Sequence, residues 1–564
     1  MQLAKRRRAR TIDPTSGGLL DPTDPTDGLD QGDPDSGHER PTSLHVPADG
    51  NAFGRTLRVV HVAAECWPFA RTGGLGEAVA GLARAQQVAR RSVRVVLPLY
   101  AQVRTSLAHA RCDWLPPNDG FVVSPPDGAA PLAFGRTARA RPGRTVSATD
   151  RAIQSLCQAM LFIESDAAFA RPGIYGEGGR DYTDNAMRFS ILGLAAVAAI
   201  RHAQAAGDLR TVILHAHDWH GAYAVLALRQ AQRQLPALQA VGTVLTVHNA
   251  AYQGHGGATA PLVWPWPDPE IVGVDSRTSP LEAALRLADV VTTVSPTHAA
   301  ELRTKEGGFG LDEWFRALGE RFTGIRNGLD VAMWRPADAN AGHRRSPRSD
   351  IAERAAAKTA LQRRLGLNVD ARLPLLAVCS RLCAQKGVDL ILDAGLALRH
   401  DLQLVVLGEG DPHLARALEQ AAAAAPGRLA FQTPFEDDEE RLLLQGADLL
   451  LMPSRFEPCG LAQLRAQHFG VVPVAHAVGG LLDTIRDGDT GFLFAPHSPE
   501  ALRRAVDRAL AVHRDSLAWA RLVHRCRNSD VGWSASVRAY DRAYASATAR
   551  AARRAVEHDP GVLG

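Results

Sequence analysis

Hydrophobic positions along this 564-residue chain cluster in short runs separated by polar stretches. The first run, "LRVVHVAAE" (57–65), is rich in valine. A glycine turn, "TGGLG" (72–76), follows it. Leu75, Val79 and Leu82 then fall at i, i+4 and i+7, one face of a helix. "SVRVVLPLY" (92–100) reads as the next strand, which completes a β-α-β unit and predicts a parallel sheet. Further short runs recur at "TVILHAHDWH" (211–220), "VGTVLTVHN" (241–249) and "ADVVTTVS" (288–295), each closing on polar residues.

The stretch "RPADANAGHRRSPRSD" (335–350) has no apolar periodicity and predicts an interdomain linker. Beyond it the strand pattern restarts with "LPLLAVCSRL" (373–382), "LQLVVLGEG" (402–410), "ADLLLMPS" (447–454) and "VVPVAHA" (471–477). The expected architecture is α/β, with two Rossmann-like domains facing across a cleft. The first spans 56–334 and the second 351–530. Residues 531–564 are expected to form a helix returning towards the first domain, then a tail. The polar clusters sit at the carboxyl ends of the strands, where open parallel sheets bind ligands.

Composition narrows this picture. Residues 1–55 open with "MQLAKRRRAR" and continue with the acidic, proline-rich "DPTDPTDGLDQGDPDSG", which predicts a disordered tail and neither a secretory signal nor a transit peptide. A net charge of +4 is small for this length and requires no nucleic-acid partner. No apolar run approaches the roughly 20 residues of a membrane span, so no membrane partner is expected. Seven cysteines, an odd number without Cys-x-x-Cys, suit a reducing compartment, and a cytoplasmic protein is expected.

Candidate chemistry gathers at the strand ends. In "SRLCAQKG" (380–387), Arg381 and Lys386 follow a strand and suit an anionic ligand such as a diphosphate. In "PSRFEPCGL" (453–461), a helix expected to start near Gly460 would turn free N–H groups to the same anion. Glu457 beside it would take sugar hydroxyls. "FARTGGLG" (69–76) offers Arg71 and paired glycines, but not the dinucleotide Gly-x-Gly-x-x-Gly pattern, which argues against a nicotinamide cofactor. "HAHDWH" (215–220) and "VHN" (247–249) raise a metal site. The expectation, however, is that His215 and His217 point to opposite faces of their strand, so no metal is assigned. In "DYTDN" (181–185), Thr183 or Asp184 is expected to cap the following helix.

Taken together, "RTGGL", "YTDN", "HAHDWH", "TVHNAAYQG", "VSPTHA", "RNGLD", "SRLCAQKG", "LGEGDP", "PSRFEPCGL", "GGLLDT" and "TGFLF" run in one order over 57–544. This set resembles the bacterial glycogen synthases and plant starch synthases, retaining α-1,4-glucosyltransferases of the GT-B fold. The resemblance implies transfer of glucose from ADP-glucose to the non-reducing end of glycogen or another α-glucan, without metal or cofactor. It implies catalytic roles for Arg381 and Lys386 at the donor diphosphate, Glu457 facing the donor glucose, His248 at the reacting sugar, and Asp218 in the donor and acceptor pocket. Arg71, Gly73, Gly74, Glu77, Tyr182, Asn185, Asn249, Cys459, Gly460 and Leu461 complete the implied substrate site, with Phe435 where the family stacks a tyrosine on the base and Thr484 near the distal phosphate.

Departures at three positions bear on the donor. Bacterial members usually carry Lys where Arg71 stands and Asp where Glu77 stands, and Phe435 lacks the tyrosine hydroxyl. UDP-glucose therefore stays open as donor. A different acceptor, such as a glucosyl phosphate, and a catalytically inactive glucan-binding protein also stay open.

Overall fold

The computed structural model describes residues 57–116, 120–124, 131–141, 148–254, 278–334 and 347–557. The expected tail over 1–55 and most of the expected linker lie outside these residues; a helix, Pro347–Arg364, is already running within the linker's last positions.

The first domain is built on a nine-stranded sheet. Its strands are β1 (Leu57–Val62), β2 (Ser92–Pro98), β3 (Phe121–Val123), β4 (Ala133–Arg136), β5 (Met160–Glu164), β6 (Thr211–His217), β7 (Gly242–Val247), β8 (Val290–Thr293) and β9 (Phe322–Gly324). They lie in the order β9-β8-β7-β6-β1-β2-β5-β4-β3. Pairing is parallel from β9 to β5, and β4 and β3 add an antiparallel edge. The second domain carries β10 (Leu375–Cys379), β11 (Gln403–Leu407), β12 (Leu429–Gln432), β13 (Leu449–Met452), β14 (Val472–His476) and β15 (Phe492–Phe494). Their order, β12-β11-β10-β13-β14-β15, is the doubly wound order with its reversal between β10 and β13. In the first sheet the reversal falls between β1 and β6.

The central strands are mostly buried, valine- and leucine-rich runs because helices cover both faces. Helix α1 (Gly74–Val88) follows β1. Helices α2 (Asn185–Ala205) and α3 (Asp218–Gln234) flank β6. By length and composition α2 could span a membrane, contrary to the reading of the sequence. Its Phe189, Ile191, Leu192, Ala195, Ala196 and Ile200 are instead buried in the first domain's core. At Gly193 it meets α3 so closely that a Cβ would stand 2.6 Å from the Tyr223 carbonyl. In the second domain α4 (Asp437–Gly446), α5 (Ala462–Phe469) and the short α6 (Gly479–Thr484) surround β13 and β14.

The final helix, α7 (Ser534–Glu557), packs on the first domain. Val537, Tyr540, Ala543, Tyr544 and Ala547 close over Leu57, Val59, Ile213, Val244 and Val290, the residues that β1, β6, β7 and β8 present on one face. Trp533, just before it, lies against Gly81 of α1.

Because neither helix backbone at the α2–α3 crossing can yield cheaply, Gly193→Ala is expected to lower folding stability by about 1–3 kcal/mol. Urea unfolding checks this: the midpoint should drop while the slope stays unchanged.

Candidate active site

The site's second-domain half forms at the sheet's reversal point, where loops after β10 and β13 diverge and leave a crevice. After β10, Arg381 is followed by a 3₁₀ turn, Ala384–Lys386. Gly387 closes that turn with φ +64, and a Cβ there would sit 2.0 Å from the Pro453 carbonyl, so a glycine is needed for the two loops to touch. That contact brings Lys386 Nζ to 2.6 Å from Glu457 Oε2. Ser454 Oγ donates to the same oxygen at 3.1 Å. Both bonds land on Oε2, and Oε1 receives neither. Glu457 is 5% exposed, so its charge is compensated by Lys386 and not by bulk water. Burial alone would lower the Arg381 guanidinium, but Cys383, Tyr252 of the first domain and Glu457 outweigh it and hold the charge.

Helix α5 begins at Ala462 and not at Gly460. Gly460 instead makes a left-handed turn, φ +73. Gln463 Nε2 holds that turn by donating to the carbonyls of Cys459 (2.9 Å) and Gly460 (3.0 Å). Cys459 is buried, and desolvation pushes its thiol up to about 12, so it stays protonated at neutral pH. Leu461 lies against Gly74 of the first domain. Helix α6 sits on the same loop, with Gly480 N–H donating to the Glu457 carbonyl at 3.0 Å. Thr484 is at the far end of α6, its hydroxyl donating to Gly480 O (2.7 Å) and accepting from Gln463 (3.1 Å).

In the first domain, Asp218 opens α3 with φ +53, in the left-handed region that residues other than glycine adopt only at a cost. Its Oδ1 accepts from the backbone N–H groups of His248 (2.6 Å) and Asn249 (3.2 Å), which ties the end of β6 to the end of β7. Asn249 Oδ1 in turn accepts from Ala251 N–H at 3.1 Å. Burial raises the Asp218 carboxyl to about 7, with the two amides pulling the other way. Burial lowers His248 to about 3, so its ring is neutral at physiological pH.

The expectation that His215 and His217 face apart is overturned. Residues two apart on a strand share a face, and here the two rings are 4.3 Å apart, next to His61 of β1. The three offer nitrogens within 4.8 Å of one another. Their nitrogens are hydrogen-bonded to one another or to neighbours: His61 with His217 and Gln86, His217 with His248, and His215 with Tyr544 and Thr246. His61, His217 and His248 form a hydrogen-bonded row.

The glycine loop also differs from expectation. Glu65, at the end of the β1 run and 3% exposed, accepts from Thr72 N–H (2.7 Å), Thr72 Oγ1 (2.8 Å) and Gly73 N–H (3.3 Å). Those amides are therefore held by a carboxylate and not turned to an anion. Glu65 went unremarked in the sequence, although an acid closing an apolar run was its visible signal. Tyr175 donates to the same carboxylate at 2.6 Å, and Asn185 Nδ2 holds the Tyr175 carbonyl at 2.8 Å. Asn185 also accepts from the fully buried Arg188, which lies over the Tyr182 ring. Tyr182 and Asn185 thus brace the glycine loop at one remove. Asp184 stands at the N-cap of α2 without capping it; its carboxylate pairs with Arg171.

Arg71 and Glu77 enter an ion lattice between the domains. Arg71 pairs with Glu77 (2.9 Å) and with Asp437 (2.7 Å) of α4. Arg465 of α5 pairs with Glu77 (2.8 Å) and with Glu440 (2.5 Å), and Trp67 donates to Asp437 at 3.0 Å. Burial alone would draw the Arg465 guanidinium down, but Glu440 and Glu77 outweigh it and hold the charge. Phe435, two residues before Asp437, is half-buried against the second domain's core.

The raised Asp218 carboxyl has a consequence for stability. Its folded value lies above its ordinary 3.8, so the folded state holds the proton longer, and stability from this group is lost as pH rises from about 4 through about 7. Asn stays neutral, accepts the same two N–H groups and tolerates the left-handed backbone. Asp218→Asn is expected to melt higher than the parent at pH 8, with the gap closing by pH 4; calorimetry across that range checks it.

Comparison with known proteins agrees with this geometry. The starch synthase catalytic domain family matches residues 58–317, and the glycosyl transferases group 1 family matches residues 364–521. A glycogen synthase from an Anaeromyxobacter species is 38% identical over 504 residues, covering 87% of this chain and all of that one. The glycogen synthase of Acidiphilium cryptum is 36% identical over 88% of this chain and all of its own length. Among solved structures, the catalytic domain of Starch Synthase IV from Arabidopsis thaliana, bound to ADP and acarbose, aligns with a TM-score of 0.73 and 29% identity over 87% of this chain and 99% of that one. Sucrose-phosphate synthase from Thermosynechococcus elongatus, at 18% identity, TM-score 0.52 and coverage of 87% and 99%, shares the fold. With a full-length curated relative at this identity and both sheets wound as described, the chain belongs to the glycogen synthase family of GT-B glycosyltransferases.

Proposed function

We propose that this enzyme transfers glucose from ADP-glucose to the non-reducing end of an α-1,4-glucan with retention at C1. The observation that carries the reading is the Lys386–Glu457 contact at the second sheet's reversal point. It joins a cation suited to the donor diphosphate with a carboxylate suited to the donor sugar. Breaking the sugar–phosphate bond builds negative charge on the diphosphate, which Arg381 and Lys386 neutralise within a partly desolvated crevice. Positive charge develops at C1, beside Glu457. The neutral His248 and the Asp218 turn supply polar groups from the opposite domain. The acceptor hydroxyl attacks from the face that the diphosphate leaves, with the paired domains excluding water.

The donor follows from what Arg71 and Glu77 are doing. Both are committed to the interdomain ion lattice, so neither departure from the usual family residues lies free to choose a base. Phe435 supplies a ring face for stacking and has no preference-setting hydroxyl. ADP in the related starch synthase supports adenine, and acarbose there supports an α-glucan acceptor. The diphosphate's charge is met by Arg381 and Lys386, so no cofactor is invoked. All seven cysteines carry free thiols, which supports a reducing, cytoplasmic setting.

Initial rates on glycogen primer test the reading. ADP-glucose is expected to give the higher kcat/KM, and Arg71→Lys is expected to leave the ADP-to-UDP ratio unchanged. A preference for UDP-glucose would overturn the donor assignment, and binding of glucan with no turnover on either donor would overturn the enzyme.

Glu457→Ala and Lys386→Ala are each expected to lower kcat by about 10²–10³-fold while the protein stays folded by circular dichroism. Full transfer by folded Glu457→Ala would remove the role given to that carboxylate.

A further inference from the structure

The face of the first sheet under α7 changes character along the strands. Towards their amino ends it is apolar: Leu57, Val59, Ile213, Val244 and Val290. Towards their carboxyl ends the same face carries His61, His215, His217, Thr246 and Thr292, in register across four strands. All five are fully buried or nearly so. Such a layer is costly unless every polar atom finds a partner, and here the partners form a continuous chain. Gln86 of α1 is the junction. Its Nε2 donates to the Tyr544 hydroxyl at 2.7 Å, and its Oε1 lies 2.8 Å from His61 Nε2. His61 Nδ1 is 3.0 Å from His217 Nε2, and His217 Nδ1 is 2.9 Å from His248 Nε2.

Burial draws every ring in this row downward, His61 to about 4 and His248 to about 3, so each ring carries one proton. A neutral imidazole donates from one nitrogen and accepts at the other. One fixed end therefore sets the whole row. An oxygen at Gln86 Oε1 places the His61 proton on Nε2, which makes His61 Nδ1 an acceptor. The His217 proton then lies on Nε2 and the His248 proton on Nε2. His248 Nδ1 is left with a lone pair.

We propose that Gln86 is a positioning residue that fixes the tautomer of His248 through His61 and His217, so that His248 meets the donor sugar as a hydrogen-bond acceptor. Tyr544 is part of the device, because its hydroxyl accepts an amide proton from Gln86 Nε2 and leaves Oε1 turned to His61. The functional half of this statement rests on the placement of His248 at the sugar; the tautomer itself does not.

Long-range ¹H–¹⁵N spectra of [¹⁵N]histidine-labelled enzyme, assigned with His248→Gln, read the tautomer directly. In the parent protein His248 is expected to carry its proton on Nε2 with Nδ1 bare. A proton on Nδ1 would overturn the proposal without any variant. In Gln86→Met, His248 is expected to populate both tautomers and kcat to fall about ten-fold, the worth of one hydrogen bond, with the primer KM within about two-fold. Gln86→Glu, which keeps an acceptor towards His61, is expected to retain the parent spectrum. A Gln86→Met enzyme with lowered kcat and an unchanged His248 spectrum would reduce Gln86 to a packing residue; an altered spectrum with unchanged kcat would strip the tautomer of its role. Absence of transfer by the parent enzyme would instead remove the function proposed above and leave the spectral result standing.

Discussion

Arg465 is the charge on which the arrangement of the two domains depends. It is buried, and its two ends answer to different domains: one to Glu440 beside it, the other to Glu77 across the cleft. A guanidinium in that position is tolerable only while both carboxylates are present, and each of them is tolerable only beside it. Arg71 and Asp437 extend the same lattice. The consequence is geometric. α1, which follows the first sheet's first strand, is locked to α4 and α5, which flank the second sheet's fourth strand. The carboxyl ends of both sheets then face one another, and Leu461 meets Gly74 at the midline. Glu301 adds a further tie, accepting from the Gly479 N–H group at the start of α6.

Within that frame the two halves solve the same problem differently. The second domain exposes its chemistry on loops at the reversal point, with Lys386 and Glu457 paired side chain to side chain. The first domain presents mostly backbone and ring edges, oriented from behind. Asp218 fixes the β6 and β7 ends, Glu65 fixes the glycine turn, and the histidine row fixes one ring. Support of this kind holds donors and acceptors in place before a ligand arrives, which is where electrostatic preorganisation gets its effect.

Much of this was legible in the sequence. Valine-rich runs ending in polar residues gave the central strands within a few positions, because parallel strands buried on both faces must be continuously apolar. The Lys386 and Glu457 loops announced themselves by falling directly after such runs. The edge strands β3 and β4 did not, since an antiparallel edge with Phe134 and Val122 exposed has no such run to show. Local pattern also misplaced the start of α5, because Gly460 ends a turn and does not open a helix. The histidine row was missed through an error of period: His215 and His217 share a face, and His61 joins them only once the register of β1 against β6 is known. The roles of Arg71 and Glu77 could not be read at all. Their partners, Asp437 and Arg465, lie in the other domain, and no local signal links positions so far apart.

The last helix gives the chain an unusual order of completion. Its residues from Val537 to Ala547 cover the face of the first sheet that Leu57 and Val59 begin, yet they are made after the whole second domain. A ribosome therefore releases every residue of the second sheet before the helix that closes the first. Until residue 547 has emerged, the apolar half of that face has no cover and Gln86 lacks its tyrosine. The domain encoded first is the one whose core is completed by the last helix of the chain.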